Sequence, residues 1–247
     1  MSRASVPVVF EDEAVLVVDK PAGLVCHSAS RPEHDSLAQW LRRYGVETPR
    51  LVHRLDRETS GLVLVAKNMP VARVLARQMH QRQIQREYLA IVWGEPSFHR
   101  MVVDQPIGLA DHALVYTRRV VRPDGQPART TIEVAERLCG FTVVRLRPHT
   151  GRAHQLRVHM QWLGHPIVGD KIYGPDERWY LEFIRNGVTP EMLEQLLLPR
   201  QALHASRLTF CHPVRQQPIT LEAPPPADLS AFIAAHRQAR APVSPVC

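Results

Sequence analysis

Residues 51–67 read LVHRLDRETSGLVLVAK, and within them the run Leu62 to Ala66 constrains the fold more than any other stretch. A short, continuous apolar run has no polar face to give to solvent, so it reads as a strand covered on both sides. Thr59, Ser60 and Gly61 just before it form a tight polar turn, the glycine allowing close backbone approach. Beyond it, Asn68 is a plausible N-cap and Pro70 suits a first helical turn. In that helix Val71, Val74, Leu75 and Met79 form an apolar stripe expected in the core, with Arg73, Arg77 and His80 pointing elsewhere. At the lip of the strand, Asp56 is set between Arg54 and Arg57. Flanking cations favour the ionised form of an acid. Asp56 is therefore expected to be a permanent anion, suited to act as a nucleophile or a base and not as a proton donor. A solvated salt bridge would use the same residues, and at this point that reading stays open.

The surrounding elements define a fold class. Residues 8–23 read as two short strands around an acidic turn, and Ser36 to Tyr44 as a helix with Leu37, Trp40 and Leu41 on one face. Residues 86–95 alternate as a strand carrying Tyr88. Residues 114–134 read as a hairpin turning at Asp124-Gly125, its arms carrying Arg118, Arg119, Arg122 and Arg129. Residues 141–151 form another strand, leading into a helix over 152–164. Strands outnumber helices without βαβ regularity, so the expected class is α+β, a mixed, largely antiparallel sheet with peripheral helices. One domain is expected over 1–225, followed by a Pro/Ala-rich tail over 226–247 that is poorly ordered.

Charge narrows the partner. The formal net charge is +7 and the pI about 9.7. It is concentrated: residues 50–88 hold eight Arg/Lys against three Asp/Glu, and residues 145–171 hold five against one. Two basic segments imply a face for a polyanion, with nucleic acid the leading candidate. Cys26, Cys139, Cys211 and Cys247 form no C-x-x-C pair, so free thiols are expected. No apolar run approaches the roughly 20 residues that span a bilayer. The start of the chain lacks a secretory pattern, so a cytoplasmic location without membrane attachment is expected. His149, His154 and His159 are spaced by five, which places them on different faces of a helix or strand, and no metal site is expected. In the same segment, Arg152 and Arg157 are expected to do different jobs. Tyr88 offers a flat ring for stacking and a hydroxyl, although a half-buried strand tyrosine would look the same.

Together VDKPAGLVCH (18–27), HRLDRETSGLVLVAK (53–67), REYLAIVWG (86–94) and PHTGRAHQLRVHMQWLGHPIVGDKIYG (148–174) resemble the successive motifs of the RluA family of RNA pseudouridine synthases. The resemblance covers about residues 8–225 and implies the pseudouridine synthase fold in a short, single-domain member without the family's S4-type domain. It also implies an isomerase that exchanges the N1–C1′ bond of specific uridines in rRNA or tRNA for a C5–C1′ bond. Asp56 would be the essential acid, as nucleophile or base; Tyr88 would stack on the base and take the C5 proton; Arg157 would pair with the aspartate. Because a stacked uracil is out of reach, base flipping is implied, with Arg54 filling the vacated gap. Arg57, Arg118, Arg119, Arg122, Arg152 and His154 would address structured RNA. No cofactor or metal is implied, and a monomer is expected. A non-catalytic RNA-binding or ribosome-assembly factor on the same fold is the alternative. Residues 175–200 form a long segment after the last motif, read as packing through Trp179, Leu181, Phe183 and Ile184 or as an RNA contact, with packing favoured.

Overall fold

The computed structural model describes residues 5–27 and 36–238. In chain order its elements are β1 (Val8–Glu11), β2 (Val15–Lys20), α1 (Leu37–Tyr44), β3 (Arg50–Leu51), β4 (Ser60–Ala66), α2 (Met69–His80) and β5 (Gln85–Trp93). There follow β6 (Arg100–Asp104), β7 (Ile107–Leu109), β8 (Arg119–Val121), β9 (Arg129–Arg137), β10 (Phe141–Pro148), α3 (Gln155–Trp162), α4 (Arg178–Asn186), α5 (Pro190–Leu196), β11 (Leu203–Cys211), β12 (Pro218–Glu222) and α6 (Ala227–Gln238). The chain divides into two compact units. One takes residues up to Tyr88 together with Leu203–Pro224, and the other takes Leu89–Ala202 and the residues from Pro225.

In the first unit β4 is the central strand, and all seven of its residues are buried. It pairs antiparallel with β2 and with β3, and parallel with β11, which pairs antiparallel with β12. Val15, Val17, Leu62, Leu64, Val71, Leu75 and Phe210 make its core. Burying each such side chain is worth about 1.5–3 kcal/mol. Gly61 has φ +113°, and a Cβ there would collide with the backbone of Ala205 on β11, so only glycine lets the two strands meet. Helix α1 begins with the capping box Ser36/Gln39 and ends on Gly45 in the left-handed region. Asn68 caps α2 as its sequence implies, accepting from the Val71 N–H at 3.0 Å. The buried face of α2 differs from the expected stripe: Val74 is exposed and Gln78 is buried, donating to the Cys211 carbonyl at 2.8 Å. A face centred on 71, 75 and 78 leaves 74 outside it.

In the second unit β6 and β10 flank β9, both antiparallel to it. A two-stranded sheet joins β7 to β8. The hairpin expected over 114–134 is corrected here: β8 pairs back onto β7, not forward onto β9. The reason is geometric, since both edges of β9 are already occupied. Gly125 is needed for space, because a Cβ would press on the backbone of Ile107 and Gly108. Helix α3 forms within the segment expected to be helical over 152–164 but is shorter, and six of its eight residues are buried.

The tail is also corrected. Ala227–Gln238 is a helix, not a poorly ordered segment. Leu229, Phe232 and Ile233 are buried at i, i+3 and i+4. Phe232 and His236 pack edge-on against Phe141, and the helix is pinned by Asp228–Arg200 at 2.7 Å and Arg237–Glu136 at 2.6 Å. Residues 239–247 of that tail, including Cys247, lie outside the described residues. Segment 175–200 forms α4 and α5. Met192 and Leu196 of α5 are fully buried, while Tyr180 and Leu181 of α4 pack on Ile107, Val115 and Tyr173. Among the described residues no helix is long and apolar enough to cross a membrane.

Candidate active site

Asp56 occupies a short loop that the first unit grips on both sides. On its N-terminal side, the buried Cys26 thiol accepts from the Leu55 N–H at 3.3 Å and faces the Leu55 carbonyl at 3.5 Å. On its C-terminal side, the Arg57 carbonyl accepts from the Gly23 N–H at 2.8 Å and from the Lys20 ammonium at 3.2 Å. That ammonium, fully buried, also donates to the carbonyls of Leu24 at 2.8 Å and Pro21 at 2.9 Å. The Arg57 side chain returns to the Gly23 carbonyl at 3.2 Å. A turn bond from the Thr59 N–H to the Asp56 carbonyl closes the loop at 3.2 Å. The aspartate itself is half-buried between exposed Arg54 and exposed Arg57.

The groups around that carboxylate are a mixture of buried and charged side chains. Tyr88 on β5 is buried, and burial drives its phenol pKa up; the negative charge of Asp56 adds to the rise, while the Arg86 guanidinium opposes it and is hydrogen-bonded to the phenol. Arg86 and Tyr88 are two apart on one strand and so share a face. The Cys26 thiol is likewise pushed up, first by burial, so it stays protonated. His53, buried beneath the loop, falls to about 3 because burial and the Arg86 cation both disfavour the imidazolium. As a neutral ring it accepts from the Leu64 N–H at 3.3 Å. Behind the loop, the buried His204 joins Ser60 Oγ at 3.0 Å to the Ala223 carbonyl at 3.1 Å. A carboxylate whose charge reaches a buried phenol can, when ionised, attack carbon or take a proton.

The second unit holds the other residues expected to act. Arg157 on α3 is buried and makes a two-pronged pair with the fully buried Asp170, Nε–Oδ2 at 2.6 Å and Nη2–Oδ1 at 2.8 Å. Burial by itself would raise the Asp170 pKa, but Arg157 and the N–H groups of Tyr173 and Ile172 hold it below the usual range. Tyr173 gathers several of these groups. Its ring lies 4.8 Å from the Arg157 guanidinium and 5.9 Å from that of Arg118. Its hydroxyl accepts from the Arg119 N–H at 3.0 Å and lies 2.8 Å from His154 Nδ1. His154 takes a positive φ just before α3. Arg152 reaches the Pro127 carbonyl at 3.0 Å. Arg118 pairs with Glu177 at 3.2 Å, and Arg122 with Asp111 and Asp124. Arg122 thus spends its charge on the shape of its own loop.

Arg54, Asp56, Arg57 and Tyr88 therefore share one unit, and Arg118, Arg119, Arg122, Arg152, His154 and Arg157 share the other. The sequence reading missed Lys20, Cys26, His53, Arg86, Asp170 and Tyr173 as parts of these networks. All six lie inside the quoted motifs, and for Arg86 the two-residue spacing from Tyr88 was a usable signal. His149, His154 and His159 bond separately, to Thr131, Tyr173 and Thr130. Among the described residues no group of three or more His, Cys, Asp or Glu could hold a metal ion.

Comparison with known proteins gives the same direction. Residues 14–162 match the family described as RNA pseudouridylate synthase. The chain is 39% identical over 236 residues to ribosomal large subunit pseudouridine synthase D of Nitrosomonas europaea, covering 93% of this chain and 65% of that protein. It is 40% identical over 237 residues to the protein of the same name in Vibrio parahaemolyticus, covering 94% and 70%. The chain thus spans about two thirds of the length of these relatives. Among solved structures it resembles human RNA pseudouridylate synthase domain containing 1, with TM-score 0.70 and 28% identity over 91% of this chain and 86% of that one. It also resembles the human domain containing 4 protein, with TM-score 0.71 and 26% identity over 94% and 93%. With the fold and these matches in agreement, the chain belongs to the RNA pseudouridylate synthase family.

Proposed function

We propose that this protein isomerises specific uridines of large-subunit ribosomal RNA to pseudouridine, working in the cytoplasm as a monomer, with Asp56 as the essential acid. The N1–C1′ bond breaks, the C5–C1′ bond forms, the proton lost from C5 is matched by one gained at N1, and no redox step is involved. The observation that carries this reading is the loop of Asp56, clamped by Cys26 before it and by Lys20 and Gly23 after it, with the aspartate's charge set against the buried Tyr88. Tyr88 stacks on the everted base and receives the C5 proton. Arg54, exposed beside Asp56, fills the gap in the RNA. Arg57, Arg118, Arg119, Arg152 and His154 contact the RNA, and Arg122 contributes through its loop. Arg157 is the third member of the machinery that the family motif implies, and residues 1–225 carry all of it. Ribosomal RNA is favoured over tRNA because the curated relatives are named for the ribosomal large subunit.

The test is Asp56→Asn assayed on in-vitro transcribed large-subunit RNA. Product is expected to vanish, a loss of at least about 10³-fold, while RNA affinity stays within about threefold. Substantial turnover by that variant would overturn the assignment.

A further inference from the structure

The loop between β7 and β8 carries an arrangement that folding does not explain. Along residues 114–116 the side chains alternate out, in, out: Leu114 is 58% exposed, Val115 2% and Tyr116 87%. Leu109 beside them, paired with Arg119 across the two-stranded sheet, is 52% exposed. Scattered apolar side chains on a surface need no account. Leu114 and Tyr116 share one loop, Leu109 ends the strand that enters it, and the loop is tied down at several points. Val115 plugs a cluster of Ile107, Ala128, Val158, Ile172 and Tyr173. Glu177, at the start of α4, reaches back with both carboxylate oxygens, accepting from the Leu114 N–H at 3.2 Å and the Val115 N–H at 3.4 Å, and pairs with Arg118 at 3.2 Å. The Arg118 N–H closes a turn onto the Val115 carbonyl at 2.8 Å. Segment 175–200 therefore contributes more than packing, because its Glu177 carboxylate fixes the backbone that lifts Tyr116 into solvent.

A rigidly presented tyrosine offers a large flat contact at little entropic cost. The charge around it selects the partner. Residues 109–129 hold Arg118, Arg119, Arg122 and Arg129 against Asp111 and Asp124. Arg118 is committed to Glu177 and Arg122 to both aspartates, so Arg119 and the loosely paired Arg129, 3.8 Å from Asp104, carry the positive charge of this stretch; cations on the same stretch as an exposed aromatic face suit a nucleobase stacked beside its own phosphates. We propose that Tyr116, braced by Glu177 and flanked by Leu114, is a stacking platform for an unpaired base of the substrate RNA, separate from the base that reacts at Asp56. This inference rests on the function proposed above and adds a specificity contact to it: substrates need a second accessible base, not only the target uridine.

The experiment measures binding and turnover on the same in-vitro transcribed large-subunit RNA. Equilibrium affinity is read in an Asp56→Asn background, alone and combined with Tyr116→Ala, Tyr116→Trp or Glu177→Ala; kcat and KM are read in the active protein. Stacking worth about 1–3 kcal/mol per base converts to roughly 5- to 150-fold. Tyr116→Ala is expected to weaken binding and raise KM by about 10-fold with kcat within twofold, Tyr116→Trp to restore both, and Glu177→Ala to weaken binding about threefold. Because Tyr116 is almost fully exposed, its replacement does not threaten the fold. Unchanged RNA affinity and KM in Tyr116→Ala, with a fully active parent, would overturn the platform and leave the enzyme assignment standing; so would a Tyr116→Ala protein that had lost a protein partner instead of RNA. Absence of pseudouridine from every RNA treated with the parent would instead sink the enzyme assignment, and the binding arm would still report on Tyr116.

Discussion

Replacing Asp170 by asparagine should separate what holds Arg157 from what Arg157 does. The carboxylate is fully buried and accepts four hydrogen bonds, two from Arg157 at 2.6 and 2.8 Å and two from the N–H groups of Ile172 and Tyr173 at 3.0 Å. An asparagine oxygen at the Oδ1 position keeps three of them. Its NH₂ group then faces the Arg157 Nε–H, donor against donor, and the charge that balanced the guanidinium is gone. Breaking a buried pair in this way costs about 3–5 kcal/mol, a large share of a total stability of about 5–15 kcal/mol. In a chain of this size that corresponds to a melting temperature lower by roughly 10 °C. The pH dependence gives a sharper criterion. The folded Asp170 pKa lies below the ordinary value, so its contribution is present above the unfolded value of about 3.9 and is lost as pH falls below that toward the folded value. Thermal unfolding of both proteins from pH 7 to pH 3 should therefore show a constant gap down to about pH 5 that narrows below about pH 4. A variant within 1 kcal/mol of the parent, or a gap unchanged at pH 3, would refute the argument.

Gly61→Ala meets both a positive φ and the Ala205 backbone; a loss of at least about 3 kcal/mol is expected in urea denaturation, and a loss under 1 kcal/mol would contradict the close approach of β4 and β11. His53 is neutral when folded, with a pKa of about 3, against about 6.5 unfolded. Its depressed folded value stabilises fully above pH 6.5, and about 1.4 kcal/mol is lost per pH unit below that until about pH 3. The parent's melting temperature should fall more steeply between pH 6.5 and pH 4 than that of His53→Gln, and parallel curves would dismiss His53 as the source.

Local chemistry made much of this readable in the chain. The spacing of Leu37, Trp40 and Leu41 and the cap at Asn68 announced their helices, and the unbroken run after Gly61 announced a strand with no solvent face. The failures share a cause, namely competition from distant partners. Asp124-Gly125 is a good hairpin turn, yet β9 had no free edge to offer, and nothing near 124 encodes the pairing of β9 with β6 and β10. The Pro/Ala-rich stretch after 224 has the composition of a loose tail, but Leu229, Phe232 and Ile233 find Phe141 and its neighbours, and Arg200 and Glu136 supply the counter-charges. Asp56 and Tyr88 could be singled out because their motifs are contiguous. The thiol at 26, the ammonium at 20 and the carboxylate at 170 act through backbone groups and side chains that only folding assembles.

The chain order of the two units has a consequence for synthesis. The first unit needs residues 203–224, since β11 supplies the parallel partner of β4, and the second needs the helix that follows them. A ribosome making this protein must therefore translate more than a hundred residues between the two parts of the first unit before that unit can close. Until then the Ser60-Gly61 end of β4 lacks its parallel partner on the nascent chain. Pairings this distant form slowly, so closure of the first unit is expected to be a late step of folding, after residues 203–224 have left the ribosome.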